Sequence, residues 1–365
     1  MEKVEVCGRN NNFGISEKSN HRTHEGDEYV YPACKFEMDP SKINSYSLFN
    51  KTLVVTNEGI ATAIGDNSKS QISGSLPKRV LSTFTDMKIR DSHDKECKVL
   101  SAVCGNNYAF YIISSIEDES KKGLAYAHAN LDKEFPVVLN IRDAIPVSIY
   151  GGYSDCAAIT SVGSVIYIHN SLWESTSTQI EPFLLPENEK AVSVVCCYNF
   201  VFVLSARGRV FISKSEPDLV FSEIPEFKDK KIVSISGIFQ HCLAVTDDGK
   251  VFVRGGDLSN NGYLGLGKNI KSPDNFKEIK SLNKYKIVAV YAGTNHSLFQ
   301  TEDGLILGCG DNTYGQLLLS SGPCKQKIYK PVETIVTSAK FCIVGDCSTV
   351  IFKNYEPPMN PNKIN

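Results

Sequence analysis

Three short runs decide the fold: Gly293-Thr294-Asn295-His296-Ser297, Thr301-Glu302-Asp303-Gly304 and Gly310-Asp311-Asn312-Thr313-Tyr314-Gly315-Gln316-Leu317. They punctuate apolar and β-branched stretches, so the segment reads as strand Ile287 to Ala292, a tight turn, strand Ser297 to Thr301, an Asp-Gly hairpin and strand Leu305 to Cys309. Gly304 suits the hairpin, because a primed turn needs positive φ and glycine adopts it without steric cost. Gly315 fits a similar turn after Asn312, and Leu317 has the size to pack back over the sheet. A small sheet of this kind has two apolar faces and cannot bury both alone, so further copies are expected.

The same grammar recurs along the chain. Gly237, His241 to Thr246, Asp247-Asp248-Gly249, Val251-Phe252-Val253 and Asn260-Asn261-Gly262 repeat it closely. So do Leu53 to Gly59, Gly65-Asp66-Asn67 and Gln71-Ile72. Weaker copies carry Cys104-Gly105, Gly151-Gly152 with Ser161-Val162-Gly163, Val194 to Leu204 with Arg207-Gly208, and Val344-Gly345. Aligned on Gly293, the anchors are Leu48, Gly105, Gly152, Cys197, Ile238, Gly293 and Gly345, separated by 57, 47, 45, 41, 55 and 52 residues. That spacing suits blades of about four strands. The run from Gly293 to Leu317 resembles a repeat of the regulator-of-chromosome-condensation family, and the resemblance implies an all-β, seven-bladed β-propeller.

The chain ends complement each other. Residues 3–14 read as a third strand and glycine–asparagine loop with nothing before them, and residues 340–352 as the strands that should precede them. The N-terminal strand is therefore expected to pair with the C-terminal blade, which would remove two sheet edges. One propeller domain over residues 1–354 and a short tail over 355–365 follow from this reading.

Composition narrows the function. Among 365 residues, 39 Lys and Arg balance 41 Asp and Glu, for a formal net charge of −2, so no strong field attracts nucleic acid and direct binding to it is not expected. No apolar run approaches the ~20 residues of a membrane span, and the start, Met1-Glu2-Lys3-Val4-Glu5, has no signal-peptide character. A cytoplasmic monomer is expected, with the nucleus also open. Most of the cysteines considered, Cys104, Cys156, Cys196, Cys242, Cys309 and Cys342, fall inside expected strands as buried thiols. No Cys-x-x-Cys is present, and adjacent Cys196 and Cys197 would point to opposite faces of a strand, so no metal site is expected.

No catalytic constellation survives comparison with the repeat, and no cofactor is expected. His241 and His296 share one repeat position, which the resemblance implies is a structural histidine bonded within its blade. Gly65, Gly105, Gly152, Gly249, Gly293, Gly304, Gly310 and Gly315 are repeat glycines, and Asn10, Asn67, Asn261 and Asn312 are grouped as turn-building asparagines. Gly262 to Gly267 looks like a phosphate loop, but no GK[ST] follows it, so turn chemistry accounts for the glycines. The polar segments 14–30, 66–75, 114–122 and 319–328 are expected to be loops joining blades.

Candidate partner contacts are Asp257, Ser259, Asn260, Asn261, Asp311 and the single tryptophan, Trp173, which could equally cap a blade edge. The loop Arg254 to Gly262 is similar to an Asn-Asn-Gly loop of the family's exchange factors, with Ser259 where those have an acidic residue and Asp257 two positions earlier. Two readings follow: a protein-binding scaffold acting through rim loops, or a guanine-nucleotide exchange factor for a Ran-like or other small GTPase. An enzyme or lectin on the same frame is the remaining class.

Overall fold

The computed structural model describes residues 3–9, 21–22, 28–37, 45–49, 52–57, 59–67, 72, 80–91, 93–129, 136–139, 141, 144–169, 180–216, 218–270, 272–319 and 324–353. Within these, the strands form seven small antiparallel sheets in chain order. Sheet I opens with Ser45–Phe49, sheet II with Cys97–Cys104, sheet III with Pro146–Gly151 and sheet IV with Ala191–Cys196. Sheets V, VI and VII open with Ile232–Ile238, Ile287–Ala292 and Phe341–Val344. Each of the seven anchors falls within one residue of the end of one of these opening strands. Sheets I, II, IV, V and VI have four strands; sheet III has three, extended by an isolated bridge from Val165 to Phe183.

The last sheet takes its third strand from the other end of the chain. Lys3–Arg9 pairs antiparallel with Ser348–Phe352, in register Glu5–Ile351, Val6–Val350, Cys7–Thr349 and Gly8–Ser348. On its other side it pairs with Glu28–Glu37, a strand inside and beyond the segment expected to be a loop, and His21–Arg22 completes five strands.

The apolar core divides among successive sheet pairs. Separate clusters lie between I and II, II and III, III and IV, IV and V, V and VI, and VI and VII. Between VI and VII, for example, Tyr291 meets Phe341 edge-on, with ring centroids 5.7 Å apart. Burial of each such ring contributes about 1.5–3 kcal/mol. Opening strands of sheets II to VII line one small cavity of about 130 Å³ through Val103, Ile149, Val195, Ile238, Ala292 and Ile343. Those six strands therefore face a common axis.

Alternation of strand direction puts every connection after a first or third strand on one face, called here the loop face. The backbone ties them together there: Ala129, Ser215, Gly256 and Asp311 donate their N–H groups to the carbonyls of Asn107, Asn199, Gln240 and Asn295. This close approach explains Gly310, whose φ is +112° and where a Cβ would lie 2.5 Å from the Asn295 carbonyl oxygen. On the opposite face the hairpin turns at Gly163, Gly208 and Gly304 accept N–H bonds from Ala191, Ile232 and Ala339 of the next sheet. Asp303 there accepts a hydrogen bond from Thr301, so the Asp-Gly pair builds a turn.

Three expectations change. Segments 66–75 and 114–122 connect strands inside sheets I and II rather than joining blades, and residues 324–328 belong to the strand Cys324–Glu333. The expected Asn10 loop lies outside the described residues, as does the C-terminal tail.

Candidate functional site: the loop face

In sheets II to VI, residues three places after the anchors tie one sheet to the next. His241 Nε2 lies 2.9 Å from Ser297 Oγ in sheet VI, and that hydroxyl donates to the Tyr263 carbonyl at 2.8 Å. Its only proton is thus spent, so His241 carries its proton on Nε2 and donates to Ser297. His296 repeats the arrangement one sheet later: Nε2 lies 3.1 Å from Thr349 Oγ1, which donates to the Gln316 carbonyl at 2.8 Å. Both histidines bond across blades rather than within one. Burial holds His241 down to about 3, with the neighbouring His296 adding to the effect, and holds His296 down to about 4.

The weaker repeats keep the tie with other chemistry. Tyr108 places its hydroxyl 2.7 Å from the Asp155 carbonyl and accepts the Gly152 N–H at 3.0 Å. Asp155 in turn accepts from Ser215 of sheet IV at 2.7 Å. In sheet IV the position is Phe200, over whose ring the Arg254 guanidinium of sheet V lies, 4.9 Å from the centroid. Gly293 stands beside this position, where a Cβ would come within 2.5 Å of the His296 ring.

Loop residues of sheets V and VI fall into register through their hydrogen bonds. Gly255 and Gly310 hold the same ladder place, opposite His241 and His296. Gly262 and Gly315 close the same turn. Seven positions separate the first pair (262 − 255) and five the second (315 − 310), so sheet V's loop carries two extra residues. Asp257 therefore matches Asn312, and Asn261 does not, correcting the sequence grouping. Asn67 and Asn312 each accept the N–H five residues on, at 3.0 and 2.9 Å. Asp257 does the same to Gly262 at 2.6 Å, and also accepts from Asn261 at 2.6 Å. With 2% of its surface exposed, Asp257 braces the loop from inside.

The other candidates separate by exposure. Asn260 adopts φ +53° and donates to Tyr329. Asn261 sits in a polar chain across three sheets: Lys327 donates to it, it donates to Asn295 at 3.0 Å, and Asn295 donates to Asp346 at 3.3 Å. Asp311 accepts from Thr313 Oγ1 at 2.6 Å and from Gln316 at 3.3 Å. Ser259 is exposed beside the buried Asp257. Trp173 lies outside the described residues.

Sequence reading missed the other half of this face. Immediately after the anchors of sheets III, IV and V come Tyr153, Tyr198 and Phe239, and their rings meet, with centroids 4.7 Å apart for Tyr153–Phe239 and 6.0 Å for Tyr198–Phe239. Phe239 holds φ +56°, an uncommon conformation for a bulky side chain, and its carbonyl accepts the Tyr198 N–H at 2.6 Å. Beside this aromatic arc a cavity of about 280 Å³ opens between sheets IV and V, lined by Tyr198, Phe200, Phe202, Phe239, Arg254 and Leu258 among others. Leu258, in the longer loop of sheet V, is 73% exposed and Tyr198 is 56% exposed. The signal available in the sequence was that lengthening, hidden because the register of the two loops had to be known first.

Nine described cysteines are free thiols and all are buried; burial pushes Cys197, at the cavity, up to about 12. No group of three or more His, Cys, Asp or Glu suited to a metal occurs among the described residues. No helix among them is long and apolar enough to cross a membrane.

Comparison with known proteins identifies the repeat. Residues 248–300 and 287–316 each match the regulator of chromosome condensation (RCC1) repeat. The chain is 31% identical over 151 residues to the secretion-regulating guanine nucleotide exchange factor of Bos taurus, covering 41% of this chain and 32% of that protein. It is 32% identical over 120 residues to the probable E3 ubiquitin-protein ligase HERC3 of Homo sapiens, covering 32% and 11%. The chain thus spans about a third or less of the length of these relatives. Human WBSCR16 superposes with a TM-score of 0.72 at 15% identity, over 96% of this chain and 98% of that one. Prp20p of Saccharomyces cerevisiae, described with its binding to Gsp1p and histones, superposes with a TM-score of 0.67 at 13% identity, over 96% and 91%. Both structures share the fold.

Proposed function

We propose that this RCC1-like repeat propeller is a protein-binding scaffold whose loop face receives the partner. The observation that carries the reading is the cavity between sheets IV and V with Leu258 and Tyr198 exposed at its lip. Large apolar side chains gathered at the mouth of a concave site mark interaction surfaces far more than scattered ones do. The polar chain from Lys327 to Asp346 lies on the same face and would supply a hydrogen-bonding rim. Affinity capture from cells with the wild type, Leu258→Ser plus Tyr198→Ser, and Val162→Ser tests this. Val162 is 67% exposed on the opposite face. Partners lost only from the loop-face variant support the reading; partners retained by it and lost with Val162→Ser contradict it.

A second reading, nucleotide exchange on a Ran-like or other small GTPase, is favoured by the identity to the bovine exchange factor. Exchange needs a surface that stabilises the nucleotide-free GTPase rather than a nucleophile, so this loop face would suffice. Release of a fluorescent nucleotide from a purified Ran-type GTPase, accelerated by the wild type and not by an Asn260→Ala, Asn261→Ala variant, would establish it.

A further inference from the structure

We propose that the cavity between sheets IV and V takes a partner peptide bearing an acidic residue beside an aromatic or large aliphatic one, the carboxylate meeting Arg254 and the apolar side chain lodging against Phe200, Phe202 and Leu258. This rests on the scaffold reading and names the chemistry that the scaffold recognises.

Arg254 is the reason. Its guanidinium lies 4.9 Å from the Phe200 ring centroid and 6.0 Å from that of Phe202, so the charge sits against aromatic surface. Among the described residues it enters no ion pair, unlike Arg207 and Arg209, which pair with Glu189, and Lys250, which pairs with Asp248. A guanidinium placed against aromatic rings still carries five N–H donors, and those donors match the planar fork of a carboxylate. Partial burial in the cavity wall strengthens such a pair relative to one in open water.

Size and charge restrict the occupant. At about 280 Å³ the space falls just below the ~300–1,000 Å³ typical of small-molecule sites, which suits one or two side chains better than a cofactor. Asp274 also lines it and would oppose a doubly charged phosphate, which leaves the single charge of a carboxylate as the better complement. The lip is already shaped for an apolar guest. Phe239, held at φ +56° between Tyr153 and Tyr198, needs no rearrangement to present its ring.

Fluorescence anisotropy with labelled peptides of a Gly/Ser background tests the proposal, using one Phe-Asp pair as the probe. Controls carry Phe-Asn, Ser-Asp or Phe-phosphoserine. The Phe-Asp peptide should bind with Kd of about 1 mM or tighter. Either Arg254→Gln or the Phe-Asn control should weaken it about tenfold or more, the loss expected for a charge-assisted hydrogen bond. Leu258→Ser should weaken it as well, with melting curves confirming that both variants are folded. Equal binding of Phe-Asp and Phe-Asn, indifference to Arg254→Gln, or absence of Phe-Asp binding overturns the proposal. Tighter binding of the phosphoserine peptide overturns the assignment of a single carboxylate. If the probe fails while partner capture still requires Leu258 and Tyr198, only the pocket chemistry falls; if capture ignores both, the scaffold reading falls independently.

Discussion

Replacing His241 and His296 together with glutamine should flatten the acid side of the stability profile. In the folded protein both rings are neutral and buried, held down to about 3 and about 4 mainly by desolvation. In the unfolded chain a histidine titrates near 6.5. Folded values below the unfolded one mean that the unfolded state binds protons first as pH falls. Stability is therefore fully present above about pH 6.5 and declines as pH falls, down to about 4 for His296 and about 3 for His241. At pH 5 each histidine removes about 2 kcal/mol, the ~1.5 pH units below 6.5 at ~1.36 kcal/mol per unit, so the pair removes about 4 kcal/mol relative to pH 8. The assay is urea unfolding at pH 8, 7, 6 and 5. Glutamine retains an N–H donor for Ser297 and Thr349, so the double variant loses some packing stability at pH 8 but should lose little more between 6.5 and 5. An unchanged slope in the variant, or either histidine titrating above pH 6 by NMR, would refute the reasoning.

Other expectations can be measured on the same material. Removing residues 1–8 takes away the strand paired with Ser348–Phe352, where four ladder bonds alone are worth about 2–6 kcal/mol, so it should lower Tm much more than removing 356–365; equal, small losses would contradict it. Tyr108→Phe removes a buried hydroxyl that serves both Gly152 and Asp155, and should cost about 1–3 kcal/mol by chemical denaturation. Asn312→Ala, which orphans the Leu317 N–H inside the loop, should cost roughly 1 kcal/mol or somewhat more in the same measurement while leaving partner binding in place.

Much of the frame was legible because it depends on local chemistry. Asp-Gly hairpins, glycines before asparagine and short β-branched strands mark each repeat within a few residues, so even the weak copies fell into phase with sheets V and VI. The pairing of Lys3–Arg9 with the last sheet was legible because one end of the chain had the strands the other lacked. What escaped depends on contacts between sheets. That His241 bonds Ser297, 56 residues away, or that Arg254 covers Phe200, cannot be read from spacing until the sheets are set side by side. The asparagine grouping failed for a related reason: Asn261 looked like Asn312 in a run of letters, whereas the ladder gives that place to Asp257. Leu258 was passed over between two polar candidates although it is a large apolar side chain left exposed, because the two added residues carry it outward only once Asp257 is anchored inside.

The account turns on the loop face being where the partner sits. Hydrogen–deuterium exchange of the protein, alone and with a captured partner, locates that surface without any substitution. Protection should concentrate in 197–200, 238–240, 254–262 and 272–276, with the hairpins at 161–164, 206–209 and 302–305 unchanged; protection of those hairpins with the loop face unaltered would contradict it.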